Sequence, residues 1–266
     1  MFLEKDEVSI YYEVRGEGTP LLLIHGVVVD AGLYEKAAEL LSRYYKVITF
    51  DRRGNSRSQY HEKKERVFSM DEQAEDVKDL LDALSIDEAL IFGASAGAAV
   101  AQYFLVKYPQ RVRHLILYEP AFVTLLMDND PELSGWITEL ETVVEKKRFS
   151  RALLMFSSSI GAPDPHANQK SPEESLREYN NIEFALTCEL PGTFYYKPEI
   201  EKLRALRDKI TLAAGTLNPE TPYHRVAQEV ARLLDIDILY FPGGHNFPFE
   251  RPREFAVCLL GTLMML

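Results

Sequence analysis

Gly93-Ala94-Ser95-Ala96-Gly97 separates a short apolar run, Ala89 to Phe92, from a stretch with helical spacing, Ala98 to Tyr108. A serine on so sharp a strand-to-helix turn lifts its hydroxyl above a sheet edge only if the residues two before and two after it are bare of side chain, because strand and helix cross there. Ala94 and Ala96 are minimal as well. With glycine and serine each making up 14 of the 266 residues, random order would give about 0.04 such pentapeptides in a chain of this length. The turn therefore demands a parallel strand feeding a helix, and the rest of the chain has to supply the sheet around it.

It does so by alternation. Val8 to Val14 alternates like a half-exposed strand, the chain turns at Gly16-Glu17-Gly18-Thr19-Pro20, and Leu21 to Ile24 returns as a fully apolar strand ending at His25-Gly26. Leu33 to Tyr44 has helical spacing, Lys46 to Phe50 reads as a strand, and Ser69 with an acid at Glu72 opens a helix with the stripe Val77, Leu80, Leu81 and Leu84. Arg113 to Tyr118 and Lys209 to Ala214 are further strands. Tyr223 to Leu234 reads as a helix, Ile236 to Phe241 as a strand, and Arg251 onward as a buried closing helix. Lys209 stands 90 positions after Glu119, whereas a helical crossover needs only about a dozen residues. The surplus is an insertion with Pro131, Pro163, Pro165, Pro172 and Pro191 between the helical patches Trp136 to Val144, Arg151 to Phe156 and Glu173 to Leu186. Residues 1–120 and 206–266 are accordingly expected to form one α/β core, with 121–205 as a helical cap over its carboxyl edge.

Composition narrows the partners. The net charge is −11, and such a surface repels nucleic-acid phosphates and anionic membranes. The basic clusters Lys63-Lys64 and Lys146-Lys147-Arg148 are short and flanked by acids, so both read as solvated faces. Cys188 and Cys258 lie in apolar company without metal or redox spacing, and no cofactor motif is present, so neither a metal nor a cofactor is expected. Met1 to Ile10 is too charged for an export signal, and the apolar run Phe255 to Leu266 is too short to span a bilayer. A cytoplasmic chain is expected, as a monomer or a homodimer.

Serine alone is a poor nucleophile and needs a base on the same sheet edge. His245, reached from the last strand through Pro242-Gly243-Gly244, is placed for that role. His61, His166 and His224 lie in polar or Pro-rich stretches and read as solvated, His114 begins a strand, and His25 reads as a loop-shaping residue. A carboxylate should fix the tautomer of His245. The usual position, after strand Lys209 to Ala214, holds Asn218, which carries no charge. Glu119, on the end of the strand beside the serine strand, is the favoured substitute, and Glu220 the runner-up. Oxyanion donors are expected from the Ala96 N–H and from Val27 or Val28. Asp51-Arg52-Arg53-Gly54 reads as structural, its charges tying loops together.

Taken together, His25-Gly26, Asp51-Arg52-Arg53-Gly54-Asn55-Ser56, the serine pentapeptide and Gly244-His245 resemble the α/β-hydrolase superfamily across essentially the whole chain. The resemblance implies an α/β fold with a mostly parallel, eight-stranded, doubly wound sheet and a helical cap inserted after the sixth strand. Tyr118-Glu119-Pro120 and its spacing to His245 are similar to the zearalenone lactonohydrolases, a capped subgroup with a Ser-Glu-His triad. The macrolide lactone substrate of that subgroup is not carried over.

The expected function is a cofactor-free serine hydrolase of carboxylic esters or lactones that acts through an acyl-enzyme. Its substrate would be small and apolar, held by Phe122, Leu126, Trp136, Phe156 and Phe184 of the cap. Carbon–carbon bond hydrolysis or perhydrolysis on the same triad stays open. So do a small-molecule-sensing module with little turnover and a structural subunit.

Overall fold

The computed structural model describes residues 1–62, 64, 66–161 and 170–266. Lys63, Pro163, Pro165 and His166 lie outside them. One eight-stranded sheet runs through the molecule in the order β1-β2-β4-β3-β5-β6-β7-β8. Its strands are β1 (Phe2–Glu4), β2 (Ser9–Arg15), β3 (Pro20–Ile24), β4 (Lys46–Phe50), β5 (Ala89–Ala94), β6 (Val112–Tyr118), β7 (Ile210–Gly215) and β8 (Ile238–Phe241). β1 and β2 pair antiparallel, as do β2 and β4, and every other pairing is parallel. The central strands are apolar on both faces because helices cover both: Leu22 and Ile24 pack on one side, Leu21 and Leu23 on the other.

The helices are α1 (Glu35–Leu41), α2 (Met70–Ala83), α3 (Ala96–Lys107), α4 (Thr124–Met127), α5 (Pro131–Glu145), α6 (Phe149–Ser159), α7 (Pro172–Phe184), α8 (Leu190–Phe194), α9 (Ile200–Ala205), α10 (Pro222–Leu234), α11 (Phe247–Glu250) and α12 (Pro252–Leu263). α2, α3 and α10 bury their apolar faces against one side of the sheet, and α1 and α12 against the other. Ser69 caps α2 as its sequence announces, its Oγ accepting the Glu72 N–H at 3.3 Å. Among the described residues, the segment between β6 and β7 carries helices and no strand.

Several boundaries differ from the expectations. The strand β1, interrupted early by charge, had no alternation long enough to read. The helix expected over Leu33 to Tyr44 is a 3-10 turn, Ala31–Tyr34, capped by the Asp30 carboxylate, followed by the shorter α1. β8 starts at Ile238 because Asp235 ends α10 in the left-handed region at φ +56°. α7 does not stop cleanly but passes into a π turn, Ala185–Glu189. α12 buries Phe255 and Leu259 fully, and no described helix is long and apolar enough to cross a membrane. Cys188 and Cys258 are free thiols.

Candidate active site

Ser95 stands between β5 and α3 with φ +56° and ψ −122°, a backbone pairing that a residue with a side chain holds only under constraint. The constraint is visible on both flanks. A Cβ on Gly97 would lie 2.3 Å from the Ile24 carbonyl oxygen, and one on Gly93 would lie 2.6 Å from that of Gly97. The Ser95 N–H donates to the Tyr118 carbonyl at 3.0 Å, which ties the turn to the end of β6. Ala96 opens the helix, so the first N–H groups of α3 and their partial positive charge gather beside the serine.

The residue immediately after β6, Glu119, is 1 % exposed and has φ +40°. Its N–H donates to the Ala213 carbonyl at 3.0 Å, and its Oε1 accepts the Gly215 N–H at 2.9 Å. Its Oε2 lies 2.7 Å from Nδ1 of His245. Burial alone would push this carboxyl up. The facing imidazoles of His224 and His245 and the Gly215 amide outweigh it and hold the pKa down to about 2. An ionised carboxylate only accepts, so the His245 Nδ1 carries a proton, and in the neutral tautomer the lone pair is left on Nε2. The imidazole is buried, and the ring of Tyr223 lies 4.5 Å from it at 32°. The Tyr118 hydroxyl donates to the Gly244 carbonyl at 2.6 Å, anchoring the loop immediately before His245.

Ser95 and His245 line the same cavity of about 350 Å3. Val27 and Val28 line it too, and Val28 takes φ +71°, an angle that a β-branched residue rarely adopts. That loop is held from both sides. Arg52 donates to the carbonyls of His25 (3.0 Å) and Gly26 (2.9 Å), and Asn181 of α7 donates through Nδ2 to the Val28 carbonyl at 2.9 Å. His25 is wholly buried, and its Nε2 accepts the Arg52 backbone N–H at 2.9 Å while Nδ1 contacts the Gly26 carbonyl at 2.7 Å. Burial, with the Arg52 charge beside it, brings its pKa down to about 3, so it is a neutral structural residue.

The runner-up acid is placed elsewhere: Glu220 is exposed and borders a separate depression with Asn218, Trp136 and Arg225. Of the five expected pocket residues, Phe156 alone lines the serine cavity. Phe122 is fully buried against Tyr196, and Leu126 packs on the same core. Trp136 meets Phe194 edge-on at 6.1 Å. Phe184 packs near Tyr60 at 6.2 Å and lines an outer groove. The cavity wall is built instead from Leu153 and Ile160 beside α6's Phe156, Ile182 of α7, and Leu33 and Phe249 of the core. Its polar side carries Ser157, Ser175, Tyr179 and a Lys170–Glu178 ion pair at 2.7 Å. His224, read as solvated, is in fact buried beside Glu119, because α10 lays its first turn on the sheet edge. Among the described residues, no group of His, Cys, Asp and Glu could hold a metal ion.

The model of the family described as "alpha/beta hydrolase fold" matches residues 19–252. The chain belongs to that family. Among sequence relatives, it is 28% identical over 260 residues to the uncharacterized hydrolase YraK of Bacillus subtilis (strain 168), covering 96% of this chain and 92% of the relative. Among solved structures, it resembles Est816, described as an N-acyl homoserine lactone degrading enzyme, at TM-score 0.76 and 24% identity over 98% of this chain and 99% of that one. It also resembles a thermophilic esterase from Thermogutta terrifontis at TM-score 0.74 and 23% identity, covering 97% and 94% of the two chains. At these identities the structural likenesses carry the α/β-hydrolase fold and nothing finer.

Proposed function

We propose that this α/β-hydrolase-fold chain is a serine hydrolase of uncharged carboxylic esters or lactones, with Ser95, His245 and Glu119 as its triad. The observation that carries the reading is the 2.7 Å contact between His245 Nδ1 and Glu119 Oε2 at the edge of the cavity that also exposes Ser95. The Ser95 Oγ attacks the substrate carbonyl carbon as its proton passes to His245 Nε2. The oxyanion is held by the N–H of Ala96 and one from Val27 or Val28. Collapse breaks the carbon–oxygen bond to the alcohol, which takes the proton from His245 and leaves an acyl-Ser95. His245 then deprotonates a water that attacks the acyl carbon, and the acid departs as Ser95 regains its proton. Glu119 stays ionised throughout and stabilises the imidazolium. Residues 121–205 act as the cap, closing the pocket over a core made of 1–120 and 206–266. The apolar wall suits an alkyl or aryl group, and the Lys170–Glu178 pair, already satisfied, offers no free charge to a charged substrate. The Bacillus relative's name as a hydrolase, and the lactone-degrading and esterase neighbours, support the same class.

A fluorophosphonate probe and a panel of p-nitrophenyl esters of varied acyl length, extended with lactones, test the reading. Rapid labelling at Ser95, lost in Ser95→Ala and sharply slowed in His245→Ala, with turnover of at least one panel member, is expected. Absence of labelling in folded protein would overturn it and favour a small-molecule-binding module instead.

A further inference from the structure

The reaction above leaves one buried imidazole without work. His224 sits on the first turn of α10, 3 % exposed, with its ring stacked on Tyr240 of β8 at 6.0 Å and 25°. Its Nδ1 is out of reach of solvent and has no hydrogen-bond partner among the described residues. The group facing that nitrogen is Oε1 of Glu119, 3.7 Å away. The residue before it, Tyr223, lies against the ring of His245, so two successive side chains of α10 touch both the acid and the base. Burying an imidazole nitrogen unpartnered is unfavourable, and structures rarely leave such an atom unused. The 3.7 Å gap is too long for a hydrogen bond, but contacts at catalytic groups commonly tighten once substrate is bound. Among the described residues, Glu119 Oε1 accepts a hydrogen bond from the Gly215 N–H alone, and a carboxylate oxygen has room for a second donor.

We infer that His224 is a positioning residue for the triad: as the neutral Nδ1–H tautomer it donates to Glu119 Oε1 and keeps Oε2 aimed at His245. The inference deepens the Ser-His-Glu reading and rests on it. A donor on Oε1 withdraws charge from the carboxylate and so weakens its grip on the imidazolium of His245. Without that donor the imidazolium keeps its proton to higher pH, and the free base that the reaction needs appears later on the pH axis. Among the described residues, the other ionisable groups around the pair are Tyr118 of β6, Tyr223 of α10 and Tyr240 of β8, with Glu250 of α11 and Cys258 of α12 acting on Tyr118. Burial holds the hydroxyls of Tyr118 and Tyr223 far above neutrality, so neither titrates in the working range.

The test compares His224→Phe, which keeps bulk and removes the donor, with His224→Asn, whose amide nitrogen falls near the place of Nδ1. Both are assayed for kcat/KM against pH on the best ester of the panel. In His224→Phe the acid limb should move up by roughly 0.5 to 1 pH unit and kcat should fall about 3- to 10-fold at unchanged KM, while His224→Asn restores the wild-type limb. An acid limb that stays put in both folded variants, while Glu119→Gln has lost its rate, would overturn the role of His224 alone. Full activity in Glu119→Gln would instead remove the triad reading beneath it. Should the phenylalanine variant not fold, the imidazole 15N spectrum of the wild-type protein decides: Nδ1 of His224 protonated at neutral pH is expected, and an unprotonated Nδ1 overturns the inference.

Discussion

Val28, Ser95 and Glu119 all hold φ between +40° and +71°, and each has a part in the proposed reaction, as donor loop, nucleophile and acid. Each such angle costs on the order of 1–3 kcal/mol, so the surrounding contacts must over-determine it, and at Glu119 they do so through its own carboxylate. Glu119→Gln should therefore lower kcat by about 10²- to 10⁴-fold, whereas Glu220→Gln should leave it within about twofold because that side chain is in solvent. Steady-state kinetics on one ester distinguishes the two. The same buried groups set the acid stability. Glu119 ionises at about 2 in the folded protein against 4.5 ordinarily, so the stability it confers is complete above about pH 4.5 and is lost as pH falls toward 2. His25, with its pKa lowered from 6.5 to about 3, adds a loss in the same direction that begins below pH 6.5. The urea midpoint should thus decline from pH 6.5 downward, and a His25→Gln variant should show a flatter upper part of that decline.

Among the elements, α7 does more than roof the cavity. Asn181 is buried on it, donates to the Val28 carbonyl, and accepts the Ser56 N–H at 2.7 Å. Asn181→Ala should release Val28 from its unfavourable angle and misplace the proposed oxyanion donor, so kcat should drop roughly 10-fold or more with little change in KM; single-turnover acylation rates would check this. Strands β2 to β8 and the serine turn were legible in the sequence, and Glu119 could be singled out there as the candidate acid, because each depends on neighbours within a few positions: a run of apolar residues, two glycines, an amide where an acid was due. The pocket was not. Which face of a helix in the insertion looks down on Ser95 is set by how α5, α6 and α7 pack on one another, and Phe122, Leu126, Trp136 and Phe184 were absorbed by that packing. His224 was missed for a related reason. Its flanks, Pro222 and Arg225, look like surface, and its burial comes from Tyr240 and Glu119, distant in the chain.

At the scale of the whole molecule, a fully buried ion pair helps join insertion to core. Arg52 and Glu189, each 0% exposed, meet at 2.6 Å, and Glu189 comes from the π turn that follows α7. The same Arg52 secures the His25 and Gly26 carbonyls, so the insertion's seat and the donor loop share a fastening. Removing one member strands the other charge, and Glu189→Ala should reduce unfolding free energy by about 3–5 kcal/mol, readable as a shift of the denaturant midpoint. Glu189→Gln, which can still accept from Arg52 and Asn55, should lose less.

The placing of Glu119, the proposed acid, immediately after β6 also governs how the molecule should fail when heated. Nucleophile and carboxylate leave adjoining strands stitched by β5–β6 pairing, while the imidazole alone arrives on a connecting loop. Warming ought to loosen that loop before the strands part, so catalysis should fall silent several degrees below the temperature at which circular dichroism reports the sheet dissolving, and cooling from that interval should bring the activity back.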